Sequence, residues 1–441
     1  MKIRTWQCIV IGMLVLLAMG LVALNAWLTP YDLEKERAAA RAAGIPLYPA
    51  EFTPPKPPAG GNAAPDWHAF ARLMKDHRFD ERSLPPTVDE WGGVPPSGEA
   101  AVRKVLASRP DLLRAVHRIA GNPMAHFEHT WTVEEIFPHW ACARTGSKVL
   151  RWESLLMARD GRHLEAVEHQ ALGLRLANHA ADDPIVIAQM VSAAMEDIAL
   201  AGMADILDMA GPDARVASAV RRAIEANPSR RDLTTAMRSD TMFRAMALRR
   251  VRSREDIRYL SLQGDERYTL GSDPSNGLVV HYVARQAEAA CLHGMGRYLE
   301  AFQRPAPERF AAMDAVTREI QGRSHRRLPP GEELGLFLTP DISQEPRTNT
   351  GTLAYRRVLL AACDVMYYRA RTGAWPVRLE DVAHLVPMDP YNGKPLGYRR
   401  EADGFVVFTV GGGSVPATPL HTGSPTLFRY PHPATGSEMA P

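Results

Sequence analysis

The chain has 441 residues, 46% hydrophobic and 23% charged, which is the make-up of a folded protein with a sizeable core and excludes wholesale disorder. A formal net charge of +2 excludes the broad basic excess of a general nucleic-acid binder. Of the 52 basic residues seven are Lys and the rest Arg, a skew read here as compositional.

The first element is hydrophobic. Cys8 to Leu24 is apolar or small throughout, and no charge occurs between Arg4 and Asp32. Such a run rises about 1.5 Å per residue and suits a hydrocarbon core of roughly 30 Å. Trp6 and Trp27 flank it as interfacial indoles, behind a basic start at Lys2 and Arg4. An Ala18-x-Gly20 pair interrupts the run instead of following it, so an uncleaved anchor is expected over a cleaved signal. The expectation is an inner-membrane, single-pass protein with residues 1–30 as tail and transmembrane helix. The rest is extracytoplasmic, with the bilayer as one partner and an envelope protein as another.

A charged helix, Tyr31 to Gly44, follows, then a proline-rich stretch from Thr53 to Pro58 that reads as a stiff spacer within residues 31–65. Residues 66–345 read as a helical domain. Pieces at Trp67–Met74 and Glu99–Ala120 lie between Pro and Gly clusters, and from Cys142 to Gln321 one apolar helical period follows another. Val149, Trp152, Leu155 and Leu156 precede a break at Asp160-Gly161; Leu164, Val167, Ala171 and Leu174 continue to Asp182-Asp183-Pro184. With Gly161 at the turn and Ala166 at a close approach, this pair resembles one tetratricopeptide-type hairpin of roughly 34 residues. Further helices are expected over Ile185–Met209, Ala214–Ala226, Leu233–Leu260, Leu278–Phe302 and Pro307–Ile320. The predicted fold is therefore mainly α: a transmembrane helix, stacked helical hairpins of TPR-like or bundle type, and a small C-terminal α+β hairpin module.

Chemistry-bearing patterns are sparse. His126, Glu128, His129, Glu134, Glu135 and His139 could supply zinc ligands, with His126, His129, Glu135 and His139 as the metal candidates, but the spacing is not HExxH. Surface or structural histidines are the expected reading, with a metal-dependent hydrolase as the alternative. Arg244, Arg249, Arg250, Arg252, Arg254 and Arg258 read as a solvated helix face. Gly294 and Gly296 read as close helix packing. Cys142, Cys291 and Cys363 lack metal spacing and sit in apolar helical contexts, as buried free thiols do. No GxSxG, phosphate-binding loop, kinase set or dinucleotide fingerprint occurs, so no catalytic residue and no cofactor is assigned, and no nucleic-acid partner is expected.

The C-terminal stretch carries the most local information. A helix is expected after Asn349-Thr350-Gly351, with Leu359, Ala362, Cys363, Met366 and Ala370 on one face and Gly373 as its left-handed stop. Trp375-Pro376, a helical turn at Leu379–Leu385, an Asn392-Gly393 turn, and strands Leu396–Arg400 and Phe405–Val410 around Asp403-Gly404 follow. Tyr368, Gly373, Trp375, Pro376, Asp389, Pro390, Tyr391, Gly393, Pro395, Tyr398, Gly404, Phe405 and Gly411 occur in the order found in the periplasmic half of the type II secretion major (G-type) pseudopilin. Residues 346–413 thus resemble that family. They also resemble the C-terminal end of uncharacterised bacterial membrane-anchored helical proteins, a likeness that covers the anchor as well. The pseudopilin likeness implies an accessory link to an envelope or secretion assembly. It does not imply a filament subunit, because the apolar run ends at Leu24 and the helix begins near Leu353. Nor does it carry a calcium site, since Gly411-Gly412-Gly413-Ser414 and an acid-poor tail stand in its place. Residues 414–441 read as a disordered tail.

Overall fold

The computed structural model describes residues 29–441 apart from 55, 77–91, 132–136, 254–255, 257–276, 307, 325–327, 383–385, 412–426 and 432–441. Before residue 29 it describes only 13, 17, 19 and 20. The expected anchor, with Cys8, therefore lies outside the described residues, as do Glu134, Glu135, Arg254 and Arg258.

The chain is mainly helical. In order come α1 (Leu33–Ala42), α2 (Ala64–Asp76), α3 (Glu99–Ser108), α4 (Pro110–Ala120), α5 (Pro138–Arg159), α6 (His163–Ala181) and α7 (Val186–Ala210). They are followed by α8 (Ala214–Ala226), α9 (Leu233–Arg250), α10 (Gly277–Phe302), α11 (Glu308–Ser324), α12 (Pro330–Phe337) and α13 (Glu345–Thr372). Strands β1 (Gly397–Arg400), β2 (Phe405–Phe408) and β3 (Leu427–Tyr430) form one antiparallel sheet with β2 in the middle.

Local chemistry sets the boundaries. Asp32, Asp213 and Asp232 each accept backbone N–H bonds at the starts of α1, α8 and α9, satisfying donors that have no partner within the helix. Proline opens α4, α5, α12 and α13, where its missing N–H loses nothing. Gly161 at φ +79° turns the chain between α5 and α6, and Gly373 at φ +72° ends α13 as expected.

Three apolar clusters fill the body. Trp67, Phe70, Leu112, Val116 and Leu150 pack α2, α4 and α5 against α6 and α7. Leu200, Met203, Ile206 and Leu207 of α7 meet Val220 and Ile224 of α8, Val358 to Met366 of α13, and Phe405 of the sheet. Leu33, Ile45, Leu47, Met237, Leu248, Ala287, Met295 and Leu334 join α1, α9, α10 and α12. Fully burying one large apolar side chain contributes about 2–3 kcal/mol, so these clusters dominate the stabilisation. Among the described residues α7 alone is long and apolar enough to cross a membrane, yet 78% of its apolar window is buried inside the protein, which makes it the central core helix.

Several expectations are corrected. α13 begins at Glu345, before Asn349-Thr350-Gly351, because Pro346 sits in its first turn. The tail is not wholly without structure: Leu427–Tyr430 pairs with β2, and Phe428 packs into the core. The Arg run is solvated only in part: Arg250 and Arg252 are exposed, whereas Arg244 and Arg249 turn into the body. Arg244 bonds Asp240 at 2.7 Å and the Leu338 carbonyl at 2.9 Å, and Arg249 clasps Glu288 and the Leu47 carbonyl. The proline-rich stretch read as a stiff spacer lies between buried residues, Ile45 and Leu47 before it and Ala63 and Ala64 after it, and Phe52 at its start lies edge-on to Trp131. A Cβ at Gly294 would touch Thr339 at 3.0 Å, as close packing requires, but Gly296 faces open space. Cys142, Cys291 and Cys363 are buried free thiols, as their surroundings suggested.

Candidate functional site

The metal candidates drawn from the sequence are held by structural partners. The backbone of His126 is fixed by Asn62, which accepts from its N–H at 2.8 Å and donates to its carbonyl at 3.0 Å. His129 Nε2 lies 2.7 Å from Asp183 Oδ1, while the other oxygen of Asp183 takes the Trp140 indole N–H at 2.8 Å. His139 is 3% exposed, stacks on Phe127 at 4.3 Å and 6°, and stands edge-on to His68 at 5.0 Å. Burial, then the neighbouring His68 and His129, push the His139 imidazole down to about 3, so it is neutral. His129 and His139 line one aromatic wall with His68, Phe127 and Phe137, and the described candidates are not gathered around a common point; Glu135 lies outside the described residues.

A different set does converge. His117 of α4, Glu153 of α5 and His169 of α6 offer ligand atoms that all lie within 4.8 Å of one another, the only such set of His, Cys, Asp or Glu among the described residues. His169 Nδ1 is 2.9 Å from Glu153 Oε2, His117 Nε2 is 3.6 Å from the same oxygen, and the two rings are 4.9 Å apart. Their side chains are 36%, 18% and 23% exposed for His117, Glu153 and His169, so the set opens to solvent on one side. Burial works against charge on Glu153, but the flanking imidazoles outweigh it and hold the carboxyl down at about 2. Beside Glu153 a surface pocket of about 240 Å³ is lined by Arg103, Leu106, Leu156, Met157, Asp160 and Arg162. Arg103 is engaged by Glu99 and Asp160, and Arg162 by Glu165.

A second polar centre lies deep between α7, α13 and the segment that joins α8 to α9. Glu196, 2% exposed, receives Arg356 at 2.6 Å and Arg231 at 3.2 Å. Arg356 also donates to the Ile224 and Asn227 carbonyls at 2.9 Å, closing the C-terminal end of α8. Burial opposes ionisation of Glu196, and the two arginines reverse it and lower its pKa. Next to it Asp197 is fully buried. Burial pushes its carboxyl up to about 7, against the pull of Arg231. Glu345, at the start of α13, is also pushed up to about 7 by burial. Glu196 with Arg356 and Arg231 makes a buried ionic core that fastens α7 to α13, while burial favours the neutral acid at Asp197 and Glu345.

The sequence search missed both centres because their members are far apart along the chain. One signal was legible: residues 153 and 169 are equidistant from Gly161, so a hairpin turning there sets Glu153 and His169 side by side. No protein-family model, curated protein or solved structure matches the chain.

Proposed function

We propose that the chain is a membrane-tethered helical scaffold, held outside the cytoplasm by its N-terminal apolar segment and offering its helical body to an envelope partner. The observation that supports this most is the way α1, the helix directly after the apolar run, is built into the body. Tyr31 and Leu33 are buried, and Arg37 spans to Glu288 of α10 with two bonds of 2.9 Å. Arg249 of α9 grips the same carboxylate at 2.6 Å. A tether joined in this way fixes the body close to the bilayer instead of letting it swing on a linker. The ordered turns from Tyr368 to Gly411, with their likeness to pseudopilins, favour an accessory role beside a secretion or envelope assembly.

Membrane fractionation with alkaline extraction tests the anchor, and a C-terminal alkaline phosphatase fusion tests the side. The expected result is retention in the membrane pellet and an active fusion. Release by alkali or an inactive fusion refutes the corresponding half. Cross-linking in intact cells then asks for a reproducible envelope partner, and its loss on deleting residues 2–28 ties partnership to the tether.

A further inference from the structure

The geometry points to a divalent transition-metal site of the zinc class at His117 Nε2, Glu153 Oε2 and His169 Nδ1, with one coordination position facing solvent. Two imidazoles and one carboxylate are a donor set that such ions favour, and catalytic or exchangeable sites keep three protein ligands and an open position. Ligand atoms at about 2.0–2.1 Å from a tetrahedral ion stand about 3.3 Å from each other. The two separations from Glu153 Oε2, 2.9 and 3.6 Å, bracket that spacing.

A second observation is independent of the spacing. His117 Nε2 is screened from solvent and has no hydrogen-bond partner. At 3.6 Å from Glu153 Oε2 it is too far for a hydrogen bond, yet it faces that oxygen. A sheltered ring nitrogen left so is unfavourable by itself, and an ion shared with Glu153 and His169 gives it a partner without moving the helices. The ligands come from three successive helices. Val116 and Leu150 flank His117 and Glu153 in the core cluster, so backbone positions are set by packing and not by the ion. Glu153 also lines the pocket of about 240 Å³ beside the set. Its arginines already carry carboxylate partners, so a neutral or weakly anionic fourth ligand, water first, fits there.

The test uses the full chain in detergent, stripped with chelator, titrated with Zn²⁺ alone and then with Co²⁺ for its visible spectrum. One equivalent of Zn²⁺ is expected, with affinity falling at least about 100-fold in His117→Ala and in His169→Gln, while His126→Ala and His129→Ala bind as the parent does. Glu153→Gln, which keeps the size of the side chain and its contact with His169, also loses the ion. Circular dichroism sorts folded from unfolded variants. Should one imidazole variant fail to fold, the other and the Co²⁺ spectrum of the parent carry the result. Absence of a stoichiometric ion in the parent overturns the site. So does undiminished binding in folded His117→Ala or His169→Gln, or loss of binding in His129→Ala instead.

Discussion

Asp197 gives the sharpest test of the ionic core. It is fully buried on α7, and burial raises its pKa to about 7, whereas in the unfolded chain an aspartate titrates near its ordinary value of 3.8. Arg231 and the Thr352 hydroxyl favour the ion, and neighbouring Glu196 opposes it. Because the folded state binds the proton more tightly, the contribution of this group is fully present below the unfolded pKa. It is lost as pH rises through the folded one. Between those values each pH unit removes about 1.4 kcal/mol, so moving from pH 5 to pH 7 removes about 2–3 kcal/mol. With an unfolding entropy of about 2 cal/mol/K per residue over roughly 400 residues, that is a fall of about 3 °C in Tm. Asp197→Asn replaces the neutral acid with a neutral amide of the same shape. It is expected to flatten the slope by that amount and to melt above the parent at pH 8, with little change at pH 5. Thermal melts by circular dichroism at half-unit steps measure it as the difference between the two curves, which removes the slopes that Glu345, Asp182, His139 and His179 give to both. Parent and variant curves that run parallel from pH 5 to pH 8 would refute a neutral Asp197.

Other consequences are simpler to read. Arg249→Met removes one of two arginines from Glu288, which is 2% exposed, and is expected to cost about 3 kcal/mol in urea melts. Arg215→Met, whose side chain is 82% exposed beside Asp213, stays within about 0.5 kcal/mol. Gly404→Ala drives a methyl into the Tyr430 backbone, so β3 is pushed from β2 at about 1–3 kcal/mol, visible as a lower Tm and new protease cleavage near the C-terminus. Burial raises the thiols of Cys142 to about 12 and Cys291 to about 11, and raises Cys363 further. A thiol reagent at pH 8 therefore modifies these three only on unfolding.

The helical body was readable wherever one face of a helix repeats its apolar residues. α5 and α6 around Gly161, and α8 from Ala214 to Ala226, fall where the periodicity placed them. Periodicity failed at ends and edges. The first turn of α13 carries Glu345-Pro346, a helix-start pattern, but Asn349-Thr350-Gly351 read as a stronger break than burial of Thr350 and Thr352 allows. β3 spans four residues in a Pro- and Thr-rich stretch, too short for an alternating pattern to stand out, and it is fixed by pairing with β2. The site residues were hidden for a different reason. His126 to His139 are close in sequence and are drawn to separate partners, whereas His117, Glu153 and His169 are distant in sequence and meet only once α4, α5 and α6 pack.

The arginine excess, which composition alone explained at the level of sequence, has a structural use that lysine could not supply. Arg249 reaches Glu288 through Nε and Nη2 while Nη1 donates to the Leu47 carbonyl at 2.6 Å. Arg244 divides itself between Asp240 and the Leu338 carbonyl, and Arg356 between Glu196 and two carbonyls at the end of α8. In each case one planar fork satisfies a buried carboxylate and, at once, backbone oxygens that helix or turn geometry leaves open. An ammonium in the same place offers donors from a single point and binds water more tightly, so its transfer inward is less favourable. Helices that meet around such forks are fixed in rotation as well as distance, because two bonds in a plane resist sliding where apolar contacts do not. This is how α1 can be locked to α9 and α10 with few large apolar side chains of its own, Leu33 chief among them. Weakening Arg249 or Arg37 should therefore loosen α1 from α9 and α10 before it unfolds the rest of the core.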